Sequence, residues 1–119
     1  MSIADDIVSL IRAHRFDLSS EDALQQGLAQ VLSGSSFKHQ REVALTKADR
    51  IDFMVEGCGI EVKVDGGALA ALRQLHRYAQ HRDVKSLLLV TTRASHVGQL
   101  PTTMNEKPVQ AVVLYGAFS

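Results

Sequence analysis

The stretch Arg50–Val64 constrains this chain more than any other, because its side chains sort by strict alternation. Ile51, Phe53 and Val55 alternate with Asp52, Met54 and Glu56, and beyond Gly57-Cys58 the apolar Ile60, Val62 and Val64 alternate with Glu61 and Lys63. A period of two belongs to half-buried strands. Two such runs joined by a Gly57-Cys58 turn predict a hairpin. That turn sets Glu56 opposite Gly59, Met54 opposite Glu61 and Asp52 opposite Lys63. One face then carries Ile51, Phe53, Val55, Ile60, Val62 and Val64, and the other carries Asp52, Met54, Glu56, Glu61 and Lys63. A slip of one residue on one strand would mix the two sets, so the pattern fixes which face is buried.

Other elements follow from the same periodicities. Ile3, Ile7, Leu10 and Ile11 predict a short amphipathic helix over Ala4–His14. Ser19-Ser20-Glu21-Asp22 starts a second helix with hydroxyl caps and acids in its first turn. Leu24, Leu28, Val31 and Leu32 give that helix an apolar stripe, and Ser33-Gly34-Ser35-Ser36 ends it. Phe37–Leu45 reads as a first strand, with Arg50–Glu56 and Gly59–Val64 as the next two. Ala68–His81 is a helix with Leu69, Leu72, Leu75 and Ala79 on one side. Ser86–Thr92 contains the unbroken apolar run Leu87-Leu88-Leu89-Val90, the mark of a strand buried on both faces. A loop or short helix occupies about Ser95–Asn105, and Val109–Tyr115 is a last strand. The order helix, helix, three strands, helix, strand, strand predicts an α/β fold: a mixed central sheet flanked by helices, in one domain over residues 1–119.

Composition then removes several functions. Lys+Arg and Asp+Glu are each 13, so bulk positive charge cannot coat nucleic acid and any such contact needs a local patch. Four Phe, two Tyr and no Trp argue against an aromatic stacking platform for single strands. The single cysteine, Cys58, excludes an internal disulfide and a multi-cysteine zinc site. No apolar run approaches the ~20 residues of a membrane span. Acids sit at positions 5 and 6, where a signal peptide would be basic, so a reducing cytoplasm is the expected compartment. The five histidines lack metal-binding spacing: His76 and His81 stand five apart rather than four. His96 follows Ser95, but a Ser–His pair without a third partner and an oxyanion hole makes no nucleophile.

The polar face of the hairpin is where chemistry is expected. In the register above Asp52 and Glu61 are diagonal neighbours, with backbones roughly 7–8 Å apart. Two carboxylates there can converge on one hard cation such as Mg²⁺ or Mn²⁺, which takes oxygen ligands and keeps several waters. Lys63 lies beside the same point, where an ammonium can orient a water or stabilise charge building on a phosphate. The same alternation also fits a solvated face of surface ion pairs, worth about 0–1 kcal/mol.

Ile51-Asp52, eight intervening residues, then Glu61-Val62-Lys63 resembles the PD-(D/E)XK nuclease superfamily. Ile51 stands in the proline position of that motif. The resemblance spans about residues 19–92 and implies a restriction-endonuclease-like αβββαβ core. Glu21, in the first turn of the helix before the first strand, matches an acid that many members bring to the metal. It equally suits a helix N-terminus as a macrodipole partner. Gln74-Leu75-His76-Arg77-Tyr78 resembles the Gln-x-x-x-Tyr element of the RecB-like branch, and residues four apart share a helix face. Gln74 and Tyr78 are thus expected to point together toward the site or the nucleic acid, unless Tyr78 only edges the core. The resemblance implies a Mg²⁺- or Mn²⁺-dependent nuclease acting on DNA. Asp52, Glu61, the Val62 carbonyl and Glu21 would hold metal, Lys63 would position water, and Gln74 would orient substrate.

Basic residues flank this motif: Lys47, Arg50, Arg73, Arg77, Arg82 and Arg93. Lys47, Arg50, Arg73 and Arg77, with Tyr78, are the expected nucleic-acid contacts, although an arginine-bearing helix face is also what simple solvation produces. A chain this short has room for little beyond the core, which favours a homodimer, with the N-terminal helix and Ala111-Val112-Val113-Leu114-Tyr115 as candidate surfaces. Three alternatives stand beside the DNA nuclease: an inactive nuclease-fold module that binds DNA or protein, a nuclease acting on RNA, and a plain α/β interaction domain.

Overall fold

An alternating run holds a strand only where neighbours satisfy its backbone, and the hairpin finds a neighbour on each side. The structure, a computed structural model, describes residues 2–115. Its elements are α1 (Ile3–Arg12), α2 (Glu21–Ser33), β1 (His39–Ala44), β2 (Arg50–Val55), β3 (Cys58–Lys63), α3 (Ala68–Ala79), β4 (Ser86–Thr91), a 3-10 turn (Ala94–His96), β5 (Thr103–Met104) and β6 (Lys107–Val113). Among the described residues the strands form one six-stranded sheet in the order β1-β2-β3-β4-β6-β5. The β3–β4 and β4–β6 pairs are parallel and the others antiparallel, so the sheet is mixed and the fold α/β. Helix α3 is the crossover that a parallel β3–β4 pair requires.

Alternate residues of the strands feed two cores. On one face, Ile7 and Ile11 of α1 and Leu24, Leu28 and Leu32 of α2 cover Phe53, Val55, Ile60, Val62, Leu88 and Val90. On the other, Leu75, Tyr78 and Ala79 of α3 cover Ile51, Leu87, Leu89 and Val109. The middle of β4, Leu87-Leu88-Leu89-Val90, is apolar because both of its faces are covered. Both early helices start on serine caps: Ser2 in a reciprocal capping box with Asp5, and Ser20 accepting the Ala23 N–H at 3.0 Å. Among the described residues no helix is long and apolar enough to cross a membrane.

The hairpin differs from its sequence reading in register. Val55 faces Cys58, Met54 faces Gly59 and Phe53 faces Ile60, so the turn residues are Glu56 and Gly57, not Gly57 and Cys58. Both have positive φ, 48° and 89°. The tight hairpin turn needs that at both central positions, and Gly57 supplies the second at no steric cost. Cys58 instead belongs in the core, 1% exposed. The shift of two residues preserves each side chain's face and changes its partner. Extending the observed register brings Asp52 opposite Glu61 rather than diagonal to it.

Ile51 is the second difference. It packs with α3, not with Phe53 and Val55. Two features let β2 turn over at Asp52. Opposite it in β1, Glu42 has φ 49°, which interrupts that ladder between Arg41–Phe53 and Val43–Ile51. On the β3 side, the Ile51 Cδ1 fills the space a Cβ on Gly59 would need, at 2.5 Å from where that atom would stand. The short β5 was also not anticipated. It forms with β6 across Asn105 and Glu106, again both at positive φ. β6 is therefore an interior strand. Val112 is buried, Leu114 packs on the α1–α2 core, and α1 turns its apolar stripe inward. The two segments expected as dimer surfaces thus spend most of their apolar area inside the chain, although Tyr115 is exposed.

Candidate functional site

The paired strands β2 and β3 separate just beyond Phe53–Ile60, and the acid pair sits at that opening. Asp52 uses its side chain where the ladder ends: Oδ2 accepts the Val62 N–H at 2.8 Å. Glu61 projects from β3 on the α3 side, between β2 and β4, and is 3% exposed. Its Oε2 lies 3.4 Å from the Lys63 Nζ, two residues further along the same face. Its Oε1 is buried and has no hydrogen-bond partner among the described residues. A buried carboxylate oxygen left without a partner costs about 1–3 kcal/mol or more, so the fold carries a polar atom for which its own interior provides nothing.

Electrostatics sharpen that picture. Burial, with the nearby Asp52 charge second, pushes the Glu61 carboxyl up to about 8. Lys63 pulls the other way and is outweighed, because an ammonium at the site's rim cannot replace lost hydration. Burial also raises Asp52, opposed chiefly by the Val62 N–H. Each of the two carboxyls therefore gives up its proton less readily than a free carboxyl does, and Glu61 is the one for which burial and the neighbouring charge both act in that direction. Two such groups are short of positive charge.

Glu21, in the first turn of α2, reaches the end of β3 from the other helical layer. Its Oε1 accepts the Val64 N–H at 3.0 Å and the Asp65 N–H at 3.4 Å. It is near enough for its charge to raise Asp52. In this arrangement it grips the backbone directly after Lys63. Among the described residues no three His, Cys, Asp or Glu side chains gather in a group that could hold an ion. A cation here would rest on Asp52 and Glu61, with the Val62 carbonyl and water. One or two carboxylates with several retained waters is the usual Mg²⁺ environment. The donor set fits, and the unsatisfied Glu61 Oε1 is the atom that asks for it.

Helix α3 closes one side. Gln74 Nε2 donates to the Tyr78 hydroxyl at 2.6 Å, and that hydroxyl donates to the Arg50 carbonyl at 2.9 Å. The pair does share a face, but Tyr78 is 1% exposed, so it has no surface for the expected nucleic-acid contact. Its ring fills the α3 core and its hydroxyl anchors the start of β2. Burial drives the Tyr78 phenol upward, so it stays a neutral donor.

The remaining basic residues scatter. Arg77 Nε binds Asp49 at 3.0 Å, and Arg50 reaches the Glu42 carbonyl. Arg82 pairs with its neighbour Asp83. Lys47 and Arg73 are exposed and make no ion pair among the described residues. Arg93 has a role that its position in the chain does not signal. Its Nε donates to the Val64 carbonyl at 2.8 Å and its guanidinium meets Asp65 at 3.2 Å. Beside it the buried His96 bridges Thr91 Oγ1 (2.7 Å) and the Gly66 carbonyl (2.9 Å). The Gly66 carbonyl can only accept, so His96 donates to it from Nε2, and in the neutral ring Nδ1 then accepts the Thr91 hydroxyl proton while Thr91 Oγ1 also accepts the Arg93 N–H. Glu21 of α2, with Arg93 and His96 of the segment that follows β4, thus fixes the backbone of Val64–Gly66 from two parts of the fold. Nothing in the spacing of His96 marked this, because its partners lie 5 and 30 residues away.

No family model, curated protein or solved structure matches this chain.

Proposed function

We propose that the chain is a Mg²⁺- or Mn²⁺-dependent nuclease that hydrolyses phosphodiester bonds in DNA, built on a restriction-endonuclease-like core. The observation that carries this reading is the buried, unpartnered Glu61 Oε1 beside Asp52, with the Lys63 ammonium at the rim. The run α2-β1-β2-β3-α3-β4 supports it as an αβββαβ order, with the acid on the second of its strands and the acid–x–lysine on the third.

Asp52 and Glu61, with the Val62 carbonyl, would hold the cation. When bound it would neutralise phosphate charge and lower the pKa of a coordinated water. Lys63 holds a proton on Nζ at the mouth of the site, where it can orient the attacking water and stabilise charge on the phosphate. Gln74 has its amide tied to Tyr78, which leaves its carbonyl end to orient water or substrate. Glu21 acts on the segment after Lys63 through the Val64 and Asp65 amides, and in this geometry it positions Lys63.

Cleavage of a mixed panel tests the reading: linear duplex, plasmid, single strands, a branched junction and RNA, with Mg²⁺, Mn²⁺ or EDTA. Metal-dependent DNA cutting that is lost in Lys63→Ala and Asp52→Ala is the expected result. A preference for RNA would reassign the substrate. A wild-type chain that cuts nothing would leave a binding module.

A further inference from the structure

Helix α3 divides its face of the sheet into two flanks. Gln74 and Tyr78 look toward the acid pair on one. On the other, a groove of about 700 Å³ opens between α3 and the segment leading through β5. Its outer wall is held in place. Asn105 Nδ2 donates to the Ala79 carbonyl at 3.0 Å, and Lys107 Nζ donates to the His81 carbonyl at 2.6 Å. The β5–β6 hairpin is thereby fastened to the C-terminal end of α3.

The groove has one sign of charge. Arg73, His76 and Arg77 line it and no Asp or Glu does. Arg77 shares its charge with Asp49, whereas Arg73 has no ion-pair partner among the described residues. In a chain of zero net charge, such a concavity is a local seat for an anion. The rest of the lining includes the amide of Gln99 and the apolar side chains of Leu72 and Met104. Amide edges above an aliphatic floor suit a flat heterocycle with donors and acceptors at its rim. Beside two guanidiniums, that combination describes one nucleotide.

We propose that this groove receives an unpaired nucleotide of the substrate strand, with its phosphate on Arg73 and Arg77 and its base over Leu72 and Met104. The proposal rests on the nuclease reading and names its substrate: single-stranded or locally unpaired DNA, since a base inside an intact duplex cannot enter. The groove and the acid pair lie on opposite flanks of a helix about 10–12 Å across. Guanidinium planes and aliphatic surface here take the place of the aromatic platform that the composition lacks.

Fluorescence anisotropy in EDTA, with a labelled 12-nucleotide single strand and the matching duplex, tests this without catalysis. The single strand is expected to bind at least about tenfold more tightly than the duplex, and Arg73→Glu to weaken it by about tenfold. Arg15→Glu makes the same charge change beyond α1, on the opposite face of the sheet, and should leave affinity within about twofold. Equal losses in the two variants, or equal binding of duplex and single strand, would overturn the groove. If the wild type binds as expected yet cuts nothing with Mg²⁺ or Mn²⁺, the nuclease reading fails and the groove stands as a nucleotide site. If it cuts DNA and binding ignores Arg73, the groove alone fails.

Discussion

The two faces of β3 begin from neighbouring residues and end in opposite chemistry. Toward α1 and α2, Ile60 and Val62 lie fully buried among aliphatic side chains, every surface matched by another. Toward α3, the same six-residue strand presents Gly59, Glu61 and Lys63. There a missing side chain admits Ile51, and a buried carboxylate keeps one oxygen without a partner. The first face stabilises the fold, and the second gives up part of that stability at a buried carboxylate, where the proposed cation would sit. Functional sites commonly break the local rules that the rest of a sequence obeys. Changes to the two faces should accordingly fail in different assays.

The largest effects belong to the polar face. Lys63→Ala should lower metal-dependent cleavage by about 10²-fold or more with a melting temperature near that of the wild type, since Lys63 is half-buried and among the described residues its one ion pair is with Glu61. Ile60→Ala should do the reverse. It should cost about 2–5 kcal/mol of stability by chemical denaturation, while the molecules that remain folded keep their metal affinity. If both changes moved the same assay, the division of labour between the faces would fail. Gly59→Ala lies between them, because the added Cβ meets the Ile51 Cδ1 at 2.5 Å. It should cost about 1–3 kcal/mol and disturb Asp52, which follows Ile51, so both readouts should fall.

A subtler separation comes from pH. The folded chain holds the Glu61 proton up to about 8, above its ordinary value of 4.5. Between those values the folded state carries a proton that the unfolded state has shed. The associated stability is complete below about pH 4.5 and is lost as pH rises through about 8. Metal-free wild type should therefore melt lower at pH 8.5 than at pH 5. Glu61→Gln should remove most of that slope and raise the melting temperature at pH 8.5 by about 4–8 °C, the shift that about 1 kcal/mol makes in a domain of this size. A slope that survives the substitution would place the held proton elsewhere. The smallest effect is expected at Tyr78→Phe, which loses the bond to the Arg50 carbonyl and keeps the buried ring. It should cost about 1 kcal/mol in denaturant midpoint.

Much of this was legible in the chain itself. The α/β class, the order of the long elements and the doubly buried β4 followed from periodicity, because burial selects side chains residue by residue. The pairing of Asp52 with Glu61 and Lys63 on one face survived a register error of two residues, since a shift by an even number returns every side chain to the same face. The turn itself was misplaced because Glu56 at positive φ has no compositional signature, and Gly57 fits either position of a two-residue turn. Ile51 changed sides for a reason that a strict alternation cannot carry: a glycine across the ladder left room for it. The short β5 had a usable signal in Asn105, a residue that tolerates positive φ. The clamp of Arg93 and His96 on Val64–Gly66 had none, because it depends on contacts about 30 residues apart.

The proposed chemistry requires the buried Glu61 oxygen beside Asp52 to seat a divalent cation. Isothermal titration of Mn²⁺ into the wild type and Glu61→Gln at pH 7.5, repeated in two buffers of different ionisation enthalpy, tests it most directly. The account predicts saturable binding to the wild type with proton release, since the proton on Glu61 must leave, and at least about tenfold weaker binding to Glu61→Gln. A wild type that takes up no Mn²⁺, or one whose binding Glu61→Gln leaves unchanged, would contradict it.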